Sequence, residues 1–227
     1  MAPTLAALFE TMRVHGGRLP FLATHVSRLT TSCPRADLLV PPSDLAERAA
    51  SHALRAPADR VLRVEWNGAT LKWEDRERRD VPPIRLATVA RVHPGYPVKS
   101  ADRVAFDEAA EQAGRAGADE PLLRTSEGWV AETARYAIAW IDGESLRLPD
   151  LALEILPSIG RARVLELAAE VGLTPAPGRY GLDALGGKPV FLVNAVRGVV
   201  PVASLDGVQT PSHPAVARLA AAFWPSS

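Results

Sequence analysis

The sequence predicts an α/β chain of the α+β type, built as two mixed subdomains. Three observations carry this. "RVLRVEWNGATLKW" is a β-hairpin, because Asn67-Gly68 suits a type I′ turn between two β-rich runs. Capped helical stretches alternate with strand-like runs in both halves. The Pro- and Gly-rich "HPGYPV" divides them, giving an N-terminal subdomain over 1–92, a linker over 93–98 and a C-terminal subdomain over 99–227.

The elements follow in chain order. "ALFETMRV" reads as a strand and "HGGRLP" as a turn; "THVSRLTTS" is a helix with Thr24 as its N-cap. "PPSDLAERAASHAL" is a second helix, with Asp44 and Glu47 at capping-box spacing. After the hairpin, "EDRERRDVPP" is a charged loop and "IRLATVARV" a strand. Beyond the linker, "RVAFDEAAEQAGRAG" is a helix stopped at Gly117. "PLLRTSEGWVAETARYAIAWIDGESLRLP" reads as a meander turning at Glu127-Gly128 and Asp142-Gly143. "PSIGRARVLELAAEVG" is a helix with Ser158 as N-cap, Ala162, Leu165 and Ala169 along one face, and Gly172 at its end. "PVFLVNAVRGVVPVAS" is a strand pair broken at Asn194–Gly198, and "HPAVARLAAAFW" is a closing helix.

Composition narrows the function. The 227 residues carry a formal net charge of zero, against a dedicated nucleic-acid binder. Cys33 is the single cysteine, which excludes an internal disulfide framework and suits a cytoplasmic location. The N-terminus lacks a basic region and a long apolar run, so no signal peptide is expected, and no stretch reads as a membrane span. The five histidines show no metal-ligand spacing, so no metal site is expected.

One compositional bias points to chemistry. Of 26 basic residues only Lys72, Lys99 and Lys188 are lysines. An amine is needed where a group must lose its proton or act as a nucleophile, and arginine does neither. On its own segment Lys99 reads equally as a surface lysine or as such an amine. Glu132, read alone, is a strand glutamate facing solvent or a buried anion. Arg28, read alone, is a helix surface residue.

Five segments in order break these ties: "FETMRVHGGRLPFLATHVSRL", "VKSADR", "GWVAET", "LPSIGRARVLELA" and "FLVNAVRGVVPV". Together, from about Leu8 to about Gly207, they resemble the fold-type IV pyridoxal-phosphate family. That family includes branched-chain and D-amino-acid aminotransferases and 4-amino-4-deoxychorismate lyase. The resemblance implies two mixed α/β subdomains with the cofactor, pyridoxal 5'-phosphate, between them. It places the Schiff-base amine at Lys99 and the carboxylate beside the pyridine nitrogen at Glu132. It assigns the phosphate to Arg28, to the helix start at Ser158, Ile159 and Gly160, and to the turn at Asn194 and Ala195, with the Val196 amide as a further donor. The helix start is an anion site on physical grounds as well, through its free N–H groups and dipole.

Some positions depart from the family pattern. Ser158 stands for the usual Gly and Gly160 for the usual Thr; Tyr136 and Ala137 stand where Ser/Ala-Asn is common. Thr11, Arg13 and Arg197 are candidates for holding a small amino substrate. The resemblance also implies a homodimer, while composition and hydropathy argue for a cytoplasmic protein with no nucleic-acid or membrane partner. "NAVRGVVPV" leans toward the lyase, which releases pyruvate and 4-aminobenzoate for folate synthesis. An aminotransferase on the same machinery and a non-catalytic relative keeping the fold are the alternatives.

Overall fold

The computed structural model describes residues 7–55 and 59–225. The chain forms two compact units, one reaching Asp80 and taking in Val98–Arg103, the other made of Val81–Pro97 and Val104 onward. This division differs from the one expected at 93–98. The segment around Lys99 returns to the first unit because it pairs with the first strand: Phe9 N donates to Lys99 O at 2.9 Å and Ala101 N to Ala7 O at 2.8 Å.

In the first unit, β1 (Leu8–Val14), β2 (Arg60–Trp66) and β3 (Leu71–Glu77) form an antiparallel sheet in that order. Strand alternation puts Leu8, Met12 and Val14 on one face, where they pack with Leu62, Val64 and Trp66. Helices α1 (Leu22–Ser32) and α2 (Leu45–Arg55) supply Leu29, Leu45 and Ala49 to that core.

Local chemistry departs from the sequence expectation at four points in this unit. Helix α1 starts at Leu22, so Thr24 lies inside it; Phe21 takes the cap position in a left-handed conformation without a side-chain cap bond. Asp44 precedes α2, but its carboxylate meets Arg48 at 2.9 Å, so the pair one turn apart supplants the capping box. The hairpin connection has four residues rather than two, because Asn67 Oδ1 accepts from both Ala69 N and Thr70 N and so closes a wider turn. Strand β3 also runs into the charged stretch as far as Glu77, since an edge strand tolerates charges on both faces.

The second unit contains β4 (Ile84–Val92), α3 (Val104–Arg115), β5 (Glu120–Arg124), β6 (Val130–Thr133), β7 (Ala137–Asp142) and β8 (Ser145–Pro149). They are followed by α4 (Ile159–Leu167), β9 (Thr174–Gly178), β10 (Val190–Asn194), β11 (Gly198–Leu205), β12 (Val208–Gln209) and α5 (Pro214–Ala222). One mixed sheet runs β6-β5-β4-β11-β10-β7-β8-β9, with β12 beside β11. The expected meander is therefore split: β5–β6 and β7–β8 are hairpins, but β6 ends one edge while β7 pairs with β10. Strand β9, "TPAPG", was not expected from sequence. Its two prolines are accommodated because it pairs on one side only, with β8.

Helix α4 is rotated from its expected face. Gly160, Val164 and Leu167 are buried and Ala162 is exposed; the helix ends at Leu167, short of the expected Gly172, and the exposed Ala169 opens a separate 3-10 turn that Gly172 closes. Gly160 fixes the rotation through its close packing on β10. No helix among the described residues is long and apolar enough to cross a membrane.

Candidate active site

In the first unit, Lys99 Nζ lies 4.5 Å from the centroid of the Phe9 ring. Phe9, Thr11 and Arg13 share the β1 face opposite the core. Register places Thr11 opposite Arg63 of β2, whose guanidinium stands 3.6 Å over the same Phe9 ring. This polar face thus gathers the rare amine, a hydroxyl and an arginine fork. Arg63 was not singled out from sequence; its alternation with Thr11 becomes visible only once the strands are in register. Arg13, the candidate chosen instead, donates to Asp59 at 2.9 Å. Burial raises the Asp59 pKa, but hydrogen bonds from Arg13 and Arg78 outweigh it and hold the carboxyl below its usual range.

Arg28 lies on the other face of β1. His25 and Arg28, three apart on α1, face Glu10 on the strand. Arg28 forks onto the carboxylate through Nε (2.8 Å) and Nη2 (2.6 Å), and His25 Nδ1 meets it at 2.7 Å. Burial alone would raise the Glu10 pKa, yet Arg28 and His25 pull it down to about 2. Burial keeps the His25 ring below its usual pKa, against the pull of Glu10. Glu10 is thus the residue that orients the guanidinium assigned to phosphate.

In the second unit, Glu132 on β6 is almost fully buried. His93 Nε2 meets its Oε1 at 2.8 Å, and Leu156 N donates to the same oxygen at 3.2 Å. Both contacts converge on Oε1. His93 falls in the stretch expected to be a linker; its side chain is 1% exposed.

Ser158 caps α4, its Oγ accepting from Arg161 N at 3.3 Å. The first intrahelical bond is Ala162 N to Ser158 O, so the Ile159 and Gly160 amides precede the helix ladder. A Cβ on Gly160 would stand 2.8 Å from Val193 Cγ2 and 2.9 Å from the backbone N and Cα of Asn194. The helix start therefore presses on the Asn194 turn, and a threonine would not fit there. Asn194 Oδ1 accepts from Val196 N (3.0 Å) and Arg197 N (2.8 Å), and its Nδ2 donates to Arg135 O (3.2 Å). The Val196 amide is thus engaged within the turn, and Ala195 remains the candidate amide beside Ile159 and Gly160. Tyr136 shares a side-chain hydrogen bond with Asn194 and feels the Arg197 charge; burial, the largest influence, pushes its hydroxyl up to about 12. Arg197 thus stands beside Tyr136 and the Asn194 turn.

This cradle carries a prediction. Gly160→Ala is expected to cost about 1–3 kcal/mol, because the added methyl meets backbone that has no rotamer to yield. The measurement is the melting temperature together with pyridoxal-phosphate affinity, and both should fall. Gly114→Ala, with nothing within 4 Å of the new methyl, is the control and should be neutral or stabilising. A Gly160 variant that behaves like the control would mean the helix start is not pinned.

Comparison with known proteins gives the family and the fold. An Aminodeoxychorismate lyase from Bacillus subtilis is 30% identical over 90 residues, 39% of this chain and 31% of that protein, so the match spans about a third of the relative. A Legionella pneumophila structure, provisionally named a 4-amino-4-deoxychorismate lyase, is similar in fold with a TM-score of 0.85 at 22% identity, over 95% of this chain and 89% of its own. A Brucella abortus aminotransferase bound to the cofactor PLP has a TM-score of 0.82 at 19% identity, over 97% and 88%. The architecture is the expected one of fold-type IV enzymes. The family model described as amino-transferase class IV matches residues 7–205, and the chain belongs to that family.

Proposed function

We propose that the chain is a pyridoxal-phosphate-dependent 4-amino-4-deoxychorismate lyase. The observation that carries the cofactor is the buried Glu132, with Oε1 held by two donors and Oε2 left for a ring nitrogen. The residues present fit the group: an amine at Lys99, a guanidinium oriented by Glu10, and a helix start closed on a turn at Gly160. The stretch shared with the Bacillus subtilis lyase favours that reaction over transamination.

Pyridoxal phosphate supplies an electron sink. Arg28 and the amides of Ile159, Gly160 and Ala195 would hold its phosphate, and Glu132 would keep the ring nitrogen protonated. Lys99 Nζ would be the amine that holds the aldehyde carbon. As a free amine, Lys99 would take the proton from the substrate carbon that bears the amine. The ring C–O bond on the neighbouring carbon would then break, enolpyruvate would leave with the ether oxygen and be protonated to pyruvate, and the ring would become 4-aminobenzoate. Arg63, beside Thr11 on the Lys99 face and sharing Nη2 with Glu65 at 3.1 Å, is suited to a substrate carboxylate.

The test is a pyruvate assay with aminodeoxychorismate and no keto acid. Pyruvate and 4-aminobenzoate are expected in equal amounts over many turnovers. A transaminase would stall after one turnover until an acceptor arrived, so a strict keto-acid requirement would hand the case to the aminotransferase. A cofactor-free protein inert in both assays would favour the non-catalytic relative.

A further inference from the structure

The segment 93–97 behaves as part of the second unit rather than as a linker. His93 N donates to Arg124 O at 2.8 Å and Tyr96 N to Glu154 O at 2.6 Å. The His93 ring stands edge-on to Phe106 at 5.7 Å between centroids, with Tyr96 against the same ring at 4.8 Å. Both ring nitrogens of His93 have partners. Gly95 N lies 3.2 Å from Nδ1, and Glu132 Oε1 lies 2.8 Å from Nε2.

A backbone N–H only donates, so Nδ1 must be bare and the ring proton must sit on Nε2. The ring is then a neutral donor to Glu132. A doubly protonated ring would set an N–H against the Gly95 N–H and lose that bond. Gly95 makes the contact with φ at +74°, a conformation glycine adopts without cost, and a Cβ there would meet Glu154 Oε2 at 3.2 Å. The sequence "HPG" thus builds a tautomer lock: glycine turns the amide back onto the histidine two residues before it.

We propose that His93 is the positioning residue for Glu132, holding Oε1 so that Oε2 is the oxygen presented to the cofactor's ring nitrogen. The proposal rests on the pyridoxal-phosphate reading above. Its physical advantage lies in the donor's charge. A cationic partner would compensate the carboxylate and weaken its hold on a protonated ring nitrogen. A neutral N–H fixes the geometry and leaves the whole negative charge for the ring.

The experiment compares wild type, His93→Phe and His93→Gln by nitrogen-15 NMR, using labelled pyridoxal phosphate and, separately, protein labelled in the histidine ring. Phenylalanine keeps the packing on Phe106 but donates nothing. Glutamine carries an amide N–H₂ at about the reach of Nε2, so it restores the donor to Glu132 but not the Gly95 contact. In ligand-free wild type, His93 should show a protonated Nε2 and a bare Nδ1. In loaded wild type the cofactor's ring nitrogen should read as protonated. It should move toward the unprotonated position in His93→Phe and return in His93→Gln. Turnover of His93→Phe should fall by about ten- to a hundredfold, the range seen when a liganding group loses its outer partner, while cofactor affinity stays near wild type.

A ring found doubly protonated or as the Nδ1–H tautomer overturns the proposal, even if the Phe variant does not fold. So does an unmoved ring-nitrogen signal in a folded, loaded His93→Phe. Parallel loss of affinity and turnover in both variants would also overturn it, by showing a purely structural role. Wild type that takes up no pyridoxal phosphate overturns the cofactor reading itself, and this role with it.

Discussion

Lys99→Arg is expected to abolish turnover and covalent cofactor attachment while leaving the fold in place. Arginine keeps the positive charge and the stacking on Phe9, where Lys99 Nζ now stands 4.5 Å from the ring centroid. It also keeps the backbone carbonyl that accepts from Phe9 N. What it lacks is a nitrogen that gives up its proton, so neither the bond to an aldehyde nor the later proton transfer is available. The loss should approach the whole contribution of the base and nucleophile, with no rescue by raising pH. Borohydride reduction of the wild type should fix the cofactor on the peptide containing Lys99. The other two lysines offer clean controls: Lys188 Nζ is tied to Asp142 at 2.5 Å, and Lys72 lies on the edge strand β3. Labelling at either of them, or an active Lys99→Arg protein, would refute the assignment.

The contrast between these lysines shows which information is local. Lys99 stands out by residue type in an arginine-rich chain, and Ser158 announces α4 by standing just before it, so both were readable without a fold. Hairpin strands, the Gly117 stop and the break at Asn194–Gly198 were readable for the same reason. What sequence reasoning missed depends on partners far along the chain. His93 meets Glu132 39 positions away, and Arg28 meets Glu10 18 positions away. Neither pairing has a spacing that marks it. The misjudged face of α4 is a related case: its rotation is set by Gly160 touching the Asn194 backbone, not by its own weak periodicity. Strand β9 shows propensity losing to context, because an edge position removes the penalty on its prolines.

Glu10→Gln should be the most damaging change to stability in the first unit. The carboxylate is 2% exposed and takes two bonds from Arg28 and one from His25. Burial by itself would raise its pKa; these partners bring it from 4.5 down to about 2. A depression of that size corresponds to about 3 kcal/mol. Removing one member of a buried ion pair costs on the order of 3–5 kcal/mol, because the other charge loses its compensation. Glutamine has the right shape but only one acceptor oxygen, and its amide would point N–H groups at N–H groups.

The pH dependence gives the sharper check. A depressed carboxylate contributes stability fully above its unfolded pKa of 4.5, and that contribution is lost as pH falls through its folded value of about 2. Urea unfolding of wild type and Glu10→Gln should therefore show a constant gap near neutral pH that narrows below about pH 4.5. A gap that ignores pH would mean the loss comes from packing and not from charge. The double variant Glu10→Gln with Arg28→Met separates the remaining possibility. If the penalty is that of an uncompensated guanidinium, deleting that charge should recover much of the lost stability, whereas two independent contacts would simply add their losses. Recovery of stability together with loss of cofactor affinity is the expected outcome, because the same guanidinium that Glu10 steadies is the one assigned to phosphate.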